Sequence, residues 1–387
     1  MRCSRRGWRT YTYTTFFLLL LLALAACSGG SNNGNSGSST SKPGSATPAA
    51  QATSGISLGV QPCPNAVKSP SHWTAIVLPP TGAQVESVSC GNLMGIPALQ
   101  ALVTVREQGT ASMLDVYVYN HITDPNPTPI FKLEGLYRGE AKISGYNTVL
   151  TGEADLNSSI NKNPGANSGP MVDLFREFKW SDGAGTLVPV TFPGLFPDLT
   201  RYQAENDQAQ VNQGIDPWKL DAAQTAKELA VNLLKWSNNA QATLVSGGGT
   251  HDVDAVVNVK NATTPAGTIT VSLSRLEGNT NGGIWEATSV TSNGMSITSP
   301  PNRDLLSSPV TVNGTINTSH GAVGKITVLD HLYNPVGQAN TSGNGTTFST
   351  AVSFTPSFID GHEEGILALY NISNGTIIGA EMMKELL

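Results

Sequence analysis

The feature that most limits what this chain can fold into is a short alternating run, repeated many times, in which β-branched or aromatic residues occupy every second position. Asp115-Val116-Tyr117-Val118-Tyr119-Asn120 is its clearest instance, with two Val on one face and two Tyr on the other. A period of two belongs to a strand whose faces meet different surroundings, and runs this short, parted by Gly, Asn and Pro, predict antiparallel meanders. Strands are accordingly expected over residues 73–78, 98–106, 113–120, 128–136, 141–146, 149–154 and 175–180, the last followed by an Asp182-Gly183 turn. Charged residues make up only 13% of the chain, which together with its many Gly, Ser, Thr and Asn fits a β-rich, turn-rich protein of the secreted kind.

One segment breaks the pattern. Asp216 followed by Pro217 has the form of an N-cap with proline at the first helical position, and Leu220, Ala223, Ala226, Leu229, Ala230, Leu233 and Leu234 keep the spacing of one buried face. A helix is expected from there to about Trp236. Strands at 252–260, 267–276 and 283–290 follow Gly247-Gly248-Gly249. That triplet is no phosphate cradle, because neither Lys-Ser, Lys-Thr nor a helix comes after it. From 294 onward, about seven short alternating runs with a turn every eight to twelve residues or so predict a β-sandwich. Pro300, Pro301 and Pro309 sit at strand entrances, where a missing N–H costs least.

The N-terminus constrains location instead of fold. Arg2, Arg5, Arg6 and Arg9 precede an apolar run from Phe16 to Ala25 without any acidic residue, and the run closes on Leu24-Ala25-Ala26-Cys27. The positive charge would stay on the cytoplasmic side while the apolar run enters the bilayer. At about ten residues that run is half of the roughly twenty a spanning helix needs. Small side chains at Ala25 and Ala26 fit a peptidase pocket, and Cys27 supplies a thiol. The stretch resembles the bacterial lipoprotein signal family, in which a lipobox directs acylation of the cysteine and cleavage just before it. That resemblance implies a signal peptide over 1–26, a lipid on Cys27 and an extracytoplasmic protein anchored to the bacterial cell membrane. An ordinary secretory signal leaving Cys27 free is the plainer alternative, and Arg5-Arg6 is similar to a twin-arginine export pair. Residues 27–55, dominated by Ser, Gly, Asn, Thr, Ala and Pro with Lys42 as the single charge, are expected to be a flexible linker.

Two further resemblances concern the folded part. The expected helix and the meander closing on Gly283-Ile284-Trp285-Glu286-Ala287-Thr288-Ser289-Val290 resemble cystatin-like and nuclear-transport-factor-like domains, which implies a helix-on-sheet α+β domain over 201–293. Ile297-Thr298-Ser299-Pro300-Pro301, then Ser307-Ser308-Pro309-Val310-Thr311-Val312-Asn313-Gly314-Thr315, with later pieces at 324–330, 348–354 and 365–370, resemble the immunoglobulin-like module of bacterial spore-germination and related surface proteins. This implies an Ig-like β-sandwich over 294–387. The fold class expected is therefore mainly β and multidomain, with a β-rich domain over 56–200 in front of these two.

If Cys3 leaves with the signal and Cys27 carries lipid, Cys63 and Cys90 remain as the pair in the folded region. In an oxidising compartment they are most simply a disulfide, worth about 3 kcal/mol in the chain-entropy model. Free thiols or a metal pair is the other reading, and it finds only His72 nearby.

Motifs that carry chemistry are thin. His362-Glu363-Glu364 lacks the second His of a zinc-protease helix, and there is no Gly-x-Ser-x-Gly elbow. Glu134, Glu140 and Glu153 fall on expected strands, where ordinary edge carboxylates also sit. His251, Asp252 and Asp254 are expected to be solvated turn residues. Asp155-Leu156-Asn157-Ser158-Ser159-Ile160-Asn161-Lys162-Asn163 is similar to the start of a calcium loop, but Ile160 stands where Gly belongs and Ala166 where a bidentate Glu belongs, which leaves a polar loop as the simpler reading. No catalytic residue, metal or cofactor is expected. Without residues 1–26 the chain keeps 18 basic against 28 acidic residues, a net charge of about −10, which argues against a nucleic-acid partner. The expected function is a membrane-anchored, non-catalytic binding or assembly module that touches the bilayer through Cys27 and engages a protein or cell-wall ligand. The alternative is an extracytoplasmic enzyme or solute-binding protein using a pocket in the central or first domain.

Overall fold

The computed structural model describes residues 56–109, 111–163, 169–263, 265–278, 282–317, 322–341 and 347–387. Leu24, Ala25, Ala26, Cys27 and the linker lie outside the described residues. Ser54–Leu387 forms one compact unit.

Its first part is a pair of antiparallel meanders. Strands β1 (Ala83–Gly91), β2 (Gln100–Glu107), β3 (Leu114–Asn120) and β4 (Thr128–Leu136) make one four-stranded sheet, and β5 (Glu140–Ile143), β6 (Val149–Glu153), β7 (Leu174–Ser181) and β8 (Thr186–Val190) make another. Leu102, Leu114, Val116 and Val118 meet Ile143, Val149, Phe178 and Leu187 between them. Thr186 Oγ1 donates to the Ile130 carbonyl at 2.7 Å and ties β8 to β4. The other face of the first sheet carries Ala101, Val103, Val105 and Tyr119 against Trp73 of helix α1 (Pro70–Val77). The period-two pattern is thus satisfied literally: Val116 and Val118 enter one core, while Tyr117 and Tyr119 border the other. Cys63 and Cys90 are joined in a disulfide, their Cα atoms 5.2 Å apart.

The second part has two more helices, α2 (Arg201–Val211) and α3 (Ala222–Asn232), with a 3₁₀ turn Pro217–Leu220 between them. Helix α3 lies on a sheet that begins with β9 (Gln241–Gly247), β10 (Asp254–Lys260), β11 (Thr268–Ser274) and β12 (Glu286–Thr291). Then come β13 (Met295–Ser299), β14 (Val310–Ile316), β15 (Val323–Leu329), β16 (Pro335–Asn340), β17 (Thr347–Val352), β18 (Glu364–Ser373) and β19 (Thr376–Leu386). Strands β13, β14 and β17 form a small sheet facing β15 and β18 across Val312, Ile326, Phe348, Leu367 and Leu369. Strands β15, β16, β18 and β19 do not stop there. Through the pairing of Val290 on β12 with Met382 on β19 they join the first four in one eight-stranded sheet, ordered β16-β15-β18-β19-β12-β11-β10-β9.

The sheet therefore runs across residue 293, and β18 serves two cores at once. Its Leu367 and Leu369 face the small sheet, while Ile366, Ala368 and Tyr370 face the core under α3. A strand buried on both faces reads as a continuous apolar run, and Ile366-Leu367-Ala368-Leu369-Tyr370 is one.

Three local expectations change. Residues 73–77 are helical, not extended, and Leu78 is the left-handed C-cap: Ser69-Pro70 starts a helix with proline in its first turn, and Trp73, which donates from Nε1 to the Val67 carbonyl, anchors it. The helix expected from Asp216 is divided. Asp216 takes a left-handed φ of 49° and caps nothing with its side chain, whereas the Asp221 carboxylate accepts from the N–H groups of Ala223 and Gln224 and starts α3. Helix α2 was not expected at all, although Thr200 and Gln203 form a reciprocal capping box at its start.

Candidate functional site

A cleft of about 710 Å³ opens where three loops meet. The loop after β6 brings Asn157, Ser159, Lys162 and Asn163. The β15–β16 turn brings Asp330, Asn334 and Val336, and the β17–β18 loop brings Thr355, Pro356, Ser357 and Ile359. Loops from separate sheets hold one shape only if something fixes them to each other. That fastening is a buried row of charges. His331 Nε2 stands 3.5 Å from Asp173 Oδ2, ahead of β7, while its Nδ1 bonds Glu363 at the entrance to β18. All three side chains are buried.

Each carboxylate is further satisfied by its own loop. Asp173 Oδ1 accepts from the Asp155 N–H at 2.8 Å and from Asn161 Nδ2 at 3.0 Å. Glu363 accepts from the Ser357 N–H at 2.8 Å and from Ser357 Oγ at 3.1 Å. Burial alone would push the imidazole toward its neutral form, but hydrogen bonds to Asp173 and Glu363 and the charges of both outweigh it and raise its pKa to about 9. The row thus favours the charged imidazole between the carboxyl groups of Asp173 and Glu363, a strut linking three loops.

Above it the cleft wall is set by Asp330. Its Oδ1 accepts from the N–H groups of Leu332 and Asn334, and its Oδ2 from Asn334 Nδ2 at 3.2 Å. Asn334 Nδ2 also donates to Ser159 Oγ at 3.1 Å and so bridges two walls. Among the described residues nothing donates to Asn334 Oδ1.

Ser357, His331 and an acid suggest nucleophilic catalysis until the hydrogen bonds are followed. Ser357 Oγ lies 3.5 Å from His331 Nδ1, but it donates to Glu363, which holds that nitrogen more closely. A serine nucleophile needs a neutral imidazole nitrogen to take its proton, whereas this ring is held toward its protonated form with a carboxyl group beside each nitrogen.

Of the residues singled out in sequence, the 155–163 loop and Glu363 come together here and the others do not. That loop directs its oxygens inward: Asp155 Oδ1 accepts from the Asn157 N–H, and Asn161 Oδ1 from the Met171 N–H. Glu134 pairs with Lys132 on an exposed strand, Glu140 with Tyr202, and Glu153 with Arg176. Asp252 accepts from the Gly249 N–H and Asp254 from Ser274 Oγ, both in the exposed β9–β10 hairpin region. Glu363 and Glu364, adjacent in sequence, point apart. Glu364 meets Lys384 at 2.8 Å and the Phe192 N–H, and burial raises it to about 7 despite Lys384. Beside it Asp198 and Glu286 form a buried acid pair that burial holds toward the protonated form. Neither opens on the cleft.

A second cleft, about 500 Å³, lies beside α1 and is lined by His72, Ile76, Tyr119, Asn126 and several prolines. Sequence reasoning missed the strut because its members, Asp173, His331 and Glu363, come from loops far apart in the chain. Comparison with models of known protein families finds no match, and comparison with curated proteins finds none either.

Proposed function

We propose that this chain is a lipid-anchored extracytoplasmic protein of the bacterial cell surface that acts by binding, without turnover. Cys27 would carry the acyl chains and residues 27–55 the tether, which leaves Ser54–Leu387 free to meet a protein or cell-wall partner. What supports binding over catalysis is the chemistry of the main cleft, a fixed wall of amides and hydroxyls near a His with a carboxyl group beside each nitrogen. The two facing sheets of 294–387 are compatible with a spore-germination-type Ig-like module, and α3 on β9–β12 with a cystatin-like or nuclear-transport-factor-like one.

The anchor is tested by intact mass and membrane fractionation of the full-length protein beside Cys27→Ala. Lipid mass and sedimentation in the wild type alone are expected. Release of both at the same cleaved mass would make the protein simply secreted, and the rival reading, a diffusible enzyme or solute carrier, would then gain. That rival draws on one contact, Ser357 Oγ at 3.5 Å from His331. Reaction of Ser357 with a fluorophosphonate probe would establish it.

A further inference from the structure

We infer that the main cleft binds a neutral polyhydroxylated ligand, a short stretch of uncharged oligosaccharide. The inference rests on the binding function proposed above and supplies its ligand class.

The lining excludes other classes by charge and by commitment. An anionic ligand needs converging cations, and among the described residues Lys162 is the single one on the wall, which also carries Asp330. A cation needs free carboxylate oxygens, whereas both oxygens of Asp330 are taken by Leu332 and Asn334. An apolar ligand needs a mostly apolar wall. What remains is Asn157, Ser159, Asn163, Asn334, Thr355 and Ser357. Amides and hydroxyls both donate and accept, which is the character of sugar hydroxyls, and neither side gives up a charge on desolvation. Val336, Pro356 and Ile359 add apolar patches for the C–H faces of a pyranose ring. Ile359 is 71% exposed, a large apolar side chain left to solvent at the rim.

The wall is also preorganised. Asn334 is pinned from two sides by Ser159 and Asp330, and its Oδ1 receives no hydrogen bond from any described residue. Ser357 is held by Glu363, which the His331 strut fixes in turn. A ligand hydroxyl donating to Asn334 Oδ1 would meet an acceptor already oriented, so little ordering entropy is lost on binding.

The test is calorimetric titration of the full-length protein in detergent micelles with chitotetraose, cellotetraose and maltotetraose, and with tetragalacturonate as the anionic counterpart. At least one neutral tetramer is expected to bind, with an affinity that holds between about 0.05 and about 0.5 M salt. Asn334→Ala should weaken it by about tenfold or more. Asn157→Ala, at an exposed position that folding does not depend on, should weaken it too, and Asn126→Ala in the second cleft should leave it unchanged. Failure of all three neutral tetramers overturns the inference. So does tighter binding of tetragalacturonate that Lys162→Ala abolishes. Release of shorter sugars from a bound tetramer would keep the ligand class and overturn the non-catalytic function, while the anchor is read separately from Cys27→Ala and does not depend on any sugar.

Discussion

Residues 56–190 and 241–387 are built from the same kind of antiparallel strand and are closed by different means. In the first region two sheets enclose one core, α1 closes another on the outer face of the first sheet, a disulfide staples the entry, and the cations paired to its strand carboxylates keep part of their surface in water, from Lys132 beside Glu134 to Arg176 beside buried Glu153. The second region has no cysteine. Its large sheet also borders two cores, and here a cation is itself sealed inside, where Lys384 meets Glu364 with both side chains buried. The difference follows from geometry. Where strands are covered on both faces, a polar side chain at the junction cannot reach water and must find its partner in the protein.

If the comparison is sound, the interior charges should matter more than the covalent staple. Lys384→Met leaves Glu364 buried without its cation and should cost about 3–5 kcal/mol, read as a lower urea midpoint; adding Glu364→Gln should recover much of it. Equal stability of Lys384→Met and wild type would break the comparison outright. Replacing Cys63 and Cys90 together with Ala should cost less, about 3 kcal/mol in the chain-entropy model, by the same measurement.

The His331 strut sharpens the contrast through pH. Its pKa is higher folded than unfolded, so its contribution is complete below the ordinary imidazole value and is lost as pH rises through about 9. Thermal midpoints should fall over that window by the equivalent of on the order of 3 kcal/mol, and His331→Gln should flatten the decline. A wild-type midpoint indifferent to pH across that range would remove the strut from the argument.

The smallest effect belongs to a single turn. Gly247 closes the β9–β10 hairpin at φ 65°, and a Cβ there would stand 2.0 Å from the Asp254 carbonyl oxygen. Gly247→Ala should cost roughly 1–3 kcal/mol, visible as faster hydrogen exchange confined to that hairpin.

What could be read from sequence was whatever depends on neighbours in the chain. Strand β4 falls on the expected 128–136, and the Val and Tyr faces of β3 divide as the alternation says. Helix α1 was mistaken for a strand because a short apolar run around Trp73 suits either state, and Pro70 was the better signal. Helix α2 was missed because its face is polar, with Tyr202, Ala204 and Val211 its buried residues. The pairing of β12 with β19 and the meeting of Asp173, His331 and Glu363 have no local signature. Long-range pairing leaves no period to count.

The shared strand has a consequence for the order in which the molecule can be made. The core under α3 is walled partly by Ile366, Ala368, Tyr370, Ala380 and Met382, which are synthesised about a hundred residues after β10. The middle of the chain must therefore wait, partly open, until its last strands have been made. Loss of those strands would undo not a terminus but two cores together, so a nascent chain has one late moment of commitment instead of a series of finished domains.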